Sequence, residues 1–193
     1  IQCVSMDMWK PYINSVESNL PAGTAAISHD PFHIIKNMNK AVDEVRRYEV
    51  ALLPHKEGKD LKGTRYMWLY GFENLPDKWT QRLHALKESQ MKTARAWRLK
   101  ETLRSMYQCR SLTQAEAFFK DWYRDAMRSK LEPVKKVARM LRTHLQQVLN
   151  FFIHRVTNAY SEGFNSMIQG LIKRANGYRV ITLSLIHISE PTR

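Results

Sequence analysis

Ile1-Gln2-Cys3-Val4-Ser5-Met6-Asp7 opens the chain as a short apolar run closed by a carboxylate. That is the pattern of a buried strand ending on an acid. Working outward, residues 11–20 read as a short helix beginning at Pro11, and Pro21-Ala22-Gly23 as a turn. Thr24-Ala25-Ala26-Ile27-Ser28 is then a second short strand. Asp30-Pro31 starts a helix, with a capping carboxylate followed by proline at the first helical position. Ile34, Ile35, Met38, Ala41, Val42 and Val45 hold a 3.6-residue period until Pro54 and the polar stretch from His55 to Asp60. Strand–helix–strand–helix is an α/β beginning. A chain that opens inside a strand, on Ile1 rather than Met, reads as a fragment.

Beyond it the pattern is helical from Leu61 to His154. Thr113-Gln114-Ala115-Glu116 has the form of a capping box, and Ala115, Phe118, Phe119, Trp122 and Ala126 carry its helix's apolar face. After Pro133, one stripe collects Val134, Val137, Ala138, Leu141, Leu145, Val148, Leu149 and Phe152. A last helix is predicted to begin near Thr157-Asn158, to carry Phe164, Met167, Ile168 and Leu171, and to end at Asn176-Gly177. The final run, Leu183-Ser184-Leu185-Ile186-His187-Ile188-Ser189-Glu190-Pro191-Thr192-Arg193, matches one reading frame of a sequencing adapter. It is set apart from the fold as an artefact.

Composition narrows the function. Of 193 residues, 44% are hydrophobic, enough for a core, so disorder is excluded. Thirty-one Lys and Arg against 18 Asp and Glu leave a formal charge of +13, which favours a polyanionic partner, nucleic acid above all. Cys3 and Cys109 are too few for a disulfide framework or a cysteine zinc site, and suit a reduced, cytosolic chain. Every apolar stretch is broken within a few residues by Lys, Arg, Gln or His, and no membrane span is expected.

Three acids stand at telling places. Asp7 lies at the carboxyl end of a strand, where open α/β sheets present ligand groups, and equally where a helix takes its cap. Asp30, with His33 on the following turn, opens a helix after the second strand and is accounted for by capping alone. Glu162 falls in a first helical turn, which the helix dipole favours for any acid. Lys92, Arg95, Arg98, Lys100 and Arg104, with Lys135, Lys136, Arg139 and Arg142, form either a phosphate-binding face or solvated helix surfaces. Trp68, Trp79, Trp97 and Trp122 keep helical spacing and read as core.

Taken with their neighbours, the acids resemble a family. Val4-Ser5-Met6-Asp7-Met8-Trp9-Lys10-Pro11-Tyr12 is similar to the strand bearing the second catalytic aspartate of DDE transposases of the ISL-three insertion-sequence type. Asp30-Pro31-Phe32-His33-Ile34-Ile35-Lys36 resembles their D-x-F-H segment, continued by Ala41-Val42-Asp43-Glu44-Val45-Arg46-Arg47. Leu61-Lys62-Gly63-Thr64-Arg65-Tyr66 looks like the opening of their inserted helical block. Thr157-Asn158-Ala159-Tyr160-Ser161-Glu162-Gly163-Phe164-Asn165 resembles the segment of the catalytic glutamate, and Lys173-Arg174-Ala175-Asn176-Gly177-Tyr178-Arg179 its close.

The resemblance implies a mostly helical α/β chain. Residues 1–54 would form part of a ribonuclease-H-like (integrase-like) core, 55–155 a large helical insertion, and 156–182 the glutamate helix returning to the core. It implies metal-dependent cleavage and strand transfer of DNA at insertion-sequence ends, through a two-metal Mg²⁺ (or Mn²⁺) site held by acids including Asp7 and Glu162. His33 would stand beside the scissile phosphate. The family's first catalytic aspartate would precede Ile1, so the fragment is expected to be inactive alone. Lys135, Arg139, Arg142, Lys173 and Arg174 are the expected DNA contacts. Copies would pair in a synaptic complex, at the nucleoid in the bacterial cytoplasm. The alternative reading is a non-catalytic basic helical nucleic-acid-binding protein, or a decayed transposase remnant.

Overall fold

The computed structural model describes residues 2–21, 27–52, 61–157 and 159–174, with side chains at all of these except 159–162 and 173–174. The chain divides into two compact units, Ile1–Val156 and Thr157–Arg193.

In the first unit, β1 (Val4–Met6) and β2 (Ile27–His29) pair in parallel, with Val4 opposite Ile27, Ser5 opposite Ser28 and Met6 opposite His29. Parallel neighbours require a long crossover, and here it contains α1 (Lys10–Asn19), with proline in its first turn. Met6, Ile13 and Ile27 make a small core under this unit, flanked by Val4 and Val16. All three residues of β2 are buried. The second strand therefore ends at His29, one residue beyond the run expected from sequence.

α2 (Pro31–Leu52) begins where Asp30-Pro31 predicts. Asp30 Oδ1 accepts from the Phe32 amide at 2.7 Å, satisfying one of the donors that a helix start leaves over. Ile34, Met38, Ala41, Val42 and Val45 face the main core. That core is shared with α3 (Arg65–Leu69), α4 (Asp77–Lys87), α5 (Lys92–Met106), α6 (Leu112–Arg128), α7 (Glu132–Thr143) and α8 (Leu145–His154). A short 3₁₀ turn, Phe72–Asn74, joins α3 to α4. α2 packs on α3, α5 and α7, while α8 packs on β2. Trp68, Trp97 and Trp122 are in this core and Trp79 packs against it.

Two details differ from the sequence reading. The cap of α6 is Ser111, not Thr113. Its Oγ accepts from the Gln114 amide at 3.2 Å, and Gln114 Oε1 accepts from the Arg110 amide at 3.2 Å. Ser111-Leu112-Thr113-Gln114 carries the same capping pattern two residues earlier, and the earlier start keeps Ala115, Phe119, Trp122 and Ala126 on one buried face. The single stripe after Pro133 is in fact two helices. His144 (φ −106°, ψ 25°) divides α7 from α8, and its ring lies edge-on to His29, 5.3 Å between centroids. The break turns α8 toward the sheet, where Asn150 Nδ2 donates to the Ile27 carbonyl at 2.7 Å.

The second unit contains α9 (Ala159–Arg174), on which Phe164, Met167 and Leu171 recur at helical spacing. The expected stop at Asn176-Gly177 and the segment 183–193 lie outside the described residues.

Candidate active site

Parallel pairing puts the carboxyl ends of β1 and β2 side by side, so whatever follows each strand shares one corner. Asp7 follows β1. Its Oδ1 accepts from the Met8 amide at 2.7 Å, and Oδ2 lies 3.3 Å from His33 Nδ1, on the first turn of α2. At this contact Nδ1 carries the proton, since a carboxylate oxygen only accepts. The Asp7 side chain is 45% exposed and that of His33 16%. Two residues 26 positions apart thus meet with one of them open to solvent.

The corner has a buried floor. The Asp30 amide donates to the Met6 carbonyl at 3.2 Å, carrying the strand pairing one residue further, while its carboxylate caps α2. His29 Nδ1 lies 3.4 Å from the same Met6 carbonyl. Burial drives the His29 pKa down to about 4; His144 pushes the same way, and the Met6 carbonyl and Asp7 oppose it. His29 is therefore neutral at pH 7 and adds no positive charge beneath Asp7. Tyr107, at the end of α5, is half-buried with its hydroxyl inside, and burial followed by the Asp30 charge raises its pKa. Sequence reasoning passed over His29 and Tyr107. The parallel-strand rule, applied to the second strand as well as the first, would have placed His29 beside Asp7.

The other expected site residues are placed as follows. Glu162 lies on α9 in the second unit, and its side chain is outside the described ones, as are those of Lys173 and Arg174. On α7, Lys135 and Arg139 both reach Glu132, at 4.0 and 2.7 Å, and Arg142 sits over the Tyr123 ring at 6.0 Å.

The basic face expected on α5 turns partly inward. Lys100 is fully buried, with Nζ donating to the Trp68 and Tyr70 carbonyls at 2.8 and 2.6 Å and lying 3.1 Å from Glu101. Arg98 donates to the Lys87 carbonyl. Arg104 binds Glu73 and Glu101 and holds the Glu73 carboxyl down at about 2. These three side chains tie α5 to the elements before it.

As for metal, the chemistry of the corner fits a hard divalent cation. Asp7 offers a half-exposed carboxylate, the ligand type Mg²⁺ and Mn²⁺ prefer, over a neutral histidine. Among the described residues, no group of three or more His, Cys, Asp or Glu side chains is placed to hold an ion. No described helix is long and apolar enough to cross a membrane.

Neither a curated protein nor a solved structure matches the chain. A family model does, over residues 1–187, and its description is a transposase of the DDE class, ISL-three type. The match spans β1, both strand-end residues, the helical block and α9. On that extent, the chain belongs to the ISL-three family of DDE transposases.

Proposed function

We propose that the corner of Asp7 and His33, completed by Glu162, is the metal-dependent catalytic centre of a DNA transposase. The observation that carries it is the Asp7–His33 contact, made between two elements at the carboxyl ends of two parallel strands. The family membership supplies the reaction class. In this reading residues 1–54 are part of a ribonuclease-H-like core, 55–155 an insertion, and 156–182 bring the glutamate back. The substrate is DNA at insertion-sequence ends, bound by a synaptic assembly of copies at the bacterial nucleoid.

Divalent cations, when bound, supply an activated water or 3′-hydroxyl and stabilise the leaving oxygen of the phosphodiester. The protein's own part is orientation. The Met8 amide holds Oδ1 of Asp7 and His33 Nδ1 stands against Oδ2, so both carboxylate oxygens are oriented while the side chain stays half-exposed. His33 is a positioning residue in this role, as outer-shell partners of ligating carboxylates commonly are. Neutral His29 beneath adds no positive charge that would oppose a cation there. Glu162 contributes the second carboxylate. Lys135, Arg139, Arg142, Lys173 and Arg174 are assigned to the DNA backbone around it.

Titration calorimetry with Mn²⁺ tests this. The chain is expected to bind Mn²⁺, Asp7→Asn and Glu162→Gln each to weaken binding at least tenfold, and His33→Ala by about tenfold. Asp7→Asn binding as tightly as the parent chain overturns the assignment.

A further inference from the structure

α2, 22 residues long, leaves the corner at His33 on its first turn and packs against α7. Along that face two adjoining clefts of about 420 and 210 Å³ share Glu44, Pro133 and Lys136. Their charged walls are Lys40, Glu44, Lys92, Lys130, Glu132 and Lys136. All four lysines are exposed, and none is in a salt bridge with a described residue. Lys92 Nζ lies 5.7 Å from the Tyr48 ring centroid, with Tyr48 itself 62% exposed. Lys130 projects from a left-handed backbone position (φ 59°) between α6 and α7.

The sign of the groove is set by what its glutamates are doing. Glu132, which lines the larger cleft, is already engaged by Arg139 and Lys135. Two glutamates, one of them so engaged, face four lysines. The floor is apolar, with Val45, Leu131 and Val137, so these ammonium groups stand over low-dielectric walls that strengthen their field.

The groove also has a direction. His33, Asn37, Lys40, Glu44 and Tyr48 follow one another at three- or four-residue spacing, on one stripe of α2. From His33 to Tyr48 the helix rises about 22 Å. Along one DNA strand, at about 3.4 Å per nucleotide, that spans roughly six phosphates.

We propose that the α2–α7 groove is a DNA track: Lys40, Lys92, Lys130 and Lys136 hold the phosphate backbone that leads away from the Asp7–His33 corner. The proposal rests on the transposase reading for the identity of the polyanion. It differs from the assignment of Lys135, Arg139 and Arg142, which are not among the groove's lining residues and engage Glu132 or Tyr123. Phosphate contacts of this kind carry no sequence information; they set register and direction. The track fixes which stretch of DNA lies over the corner.

The test is fluorescence anisotropy of the full chain with a random-sequence duplex, without divalent metal, across a salt series. The variant is Lys40→Ala/Lys130→Ala/Lys136→Ala, and the control is Lys62→Ala/Lys78→Ala/Lys120→Ala, which removes the same charge from exposed positions elsewhere. The groove variant is expected to lower the magnitude of the log K against log salt slope by two to three, about 0.9 for each phosphate that is no longer neutralised. Its affinity should fall at least tenfold, while the control stays within about threefold of the parent chain. Equal losses in both variants, or none in the groove variant, overturn the track. Displacement of the duplex by polyglutamate as readily as by unlabelled DNA overturns it as well. Mn²⁺ binding by the parent chain and by Asp7→Asn tests the catalytic reading separately. A groove variant that binds normally therefore removes the track and leaves the catalytic reading standing. A parent chain that binds no DNA removes both. Urea melts of both variants confirm that each is folded.

Discussion

Lys100 shows how much a single side chain can be constrained by atoms far away in sequence. Its ammonium donates to Trp68 and Tyr70, carbonyls at the end of α3 that have no acceptor role within that helix, and leans on Glu101. Burial lowers its pKa to about 8, against the pull of Glu101. The sign of the consequence is fixed by linkage. Between pH 8 and 10.5 the unfolded chain holds a proton on this lysine that the folded chain has released, so stability rises with pH across that window. The rise is up to about 1.4 kcal/mol per pH unit. Urea denaturation at a series of pH values should show this slope in the parent chain and its disappearance in Lys100→Met. An identical slope in both would refute the assignment. No helical wheel could have found this, because its polar face predicts solvent and cannot register two carbonyls some thirty positions back. Glu49 is similar. Buried on α2, it accepts from the Lys92 and Thr93 amides at 2.7 Å each and so caps α5 from another helix. By contrast Asp30 was legible, because its partner Phe32 is two residues on.

Among the elements, periodicity located the helices well and their ends less well. The core faces of α2, α6 and α7 follow the apolar spacing, because burial of a stripe is what holds a helix in place. Ends depend on single hydrogen bonds, and there two adjacent candidates compete. At α6 both Ser111 and Thr113 head a capping pattern, and Ser111 is the one whose oxygen meets an amide. Ser111→Ala should cost about 1 kcal/mol, and Thr113→Ala less than about 0.5 kcal/mol. Urea midpoints would check this, and the reverse order would return the cap to Thr113. The division at His144 was illegible for another reason. The apolar pattern runs through it unbroken, and the break lies against His29, more than a hundred positions earlier. The same corner holds two of the candidate residues that the sequence singled out. Asp7 and His33 were each singled out as candidates by local motif and resemblance, but their contact required knowing that the two strands are parallel neighbours.

At the scale of the whole molecule, membership of the transposase family rests on a match over residues 1–187, far longer than any one motif. The catalytic proposal asks something more demanding. Asp7 and Glu162 are 155 positions apart and stand in different compact units. Two carboxylates sharing a metal pair must nevertheless reach ions about 3.5–4 Å apart. The direct measurement is paramagnetic broadening of backbone amide signals on addition of Mn²⁺ to the labelled chain. Signals of residues 6–8 and of 161–163 should broaden together, at one midpoint, and Asp7→Asn should abolish both effects. Broadening confined to residues 6–8, or broadening at 161–163 that survives Asp7→Asn, would contradict a shared site.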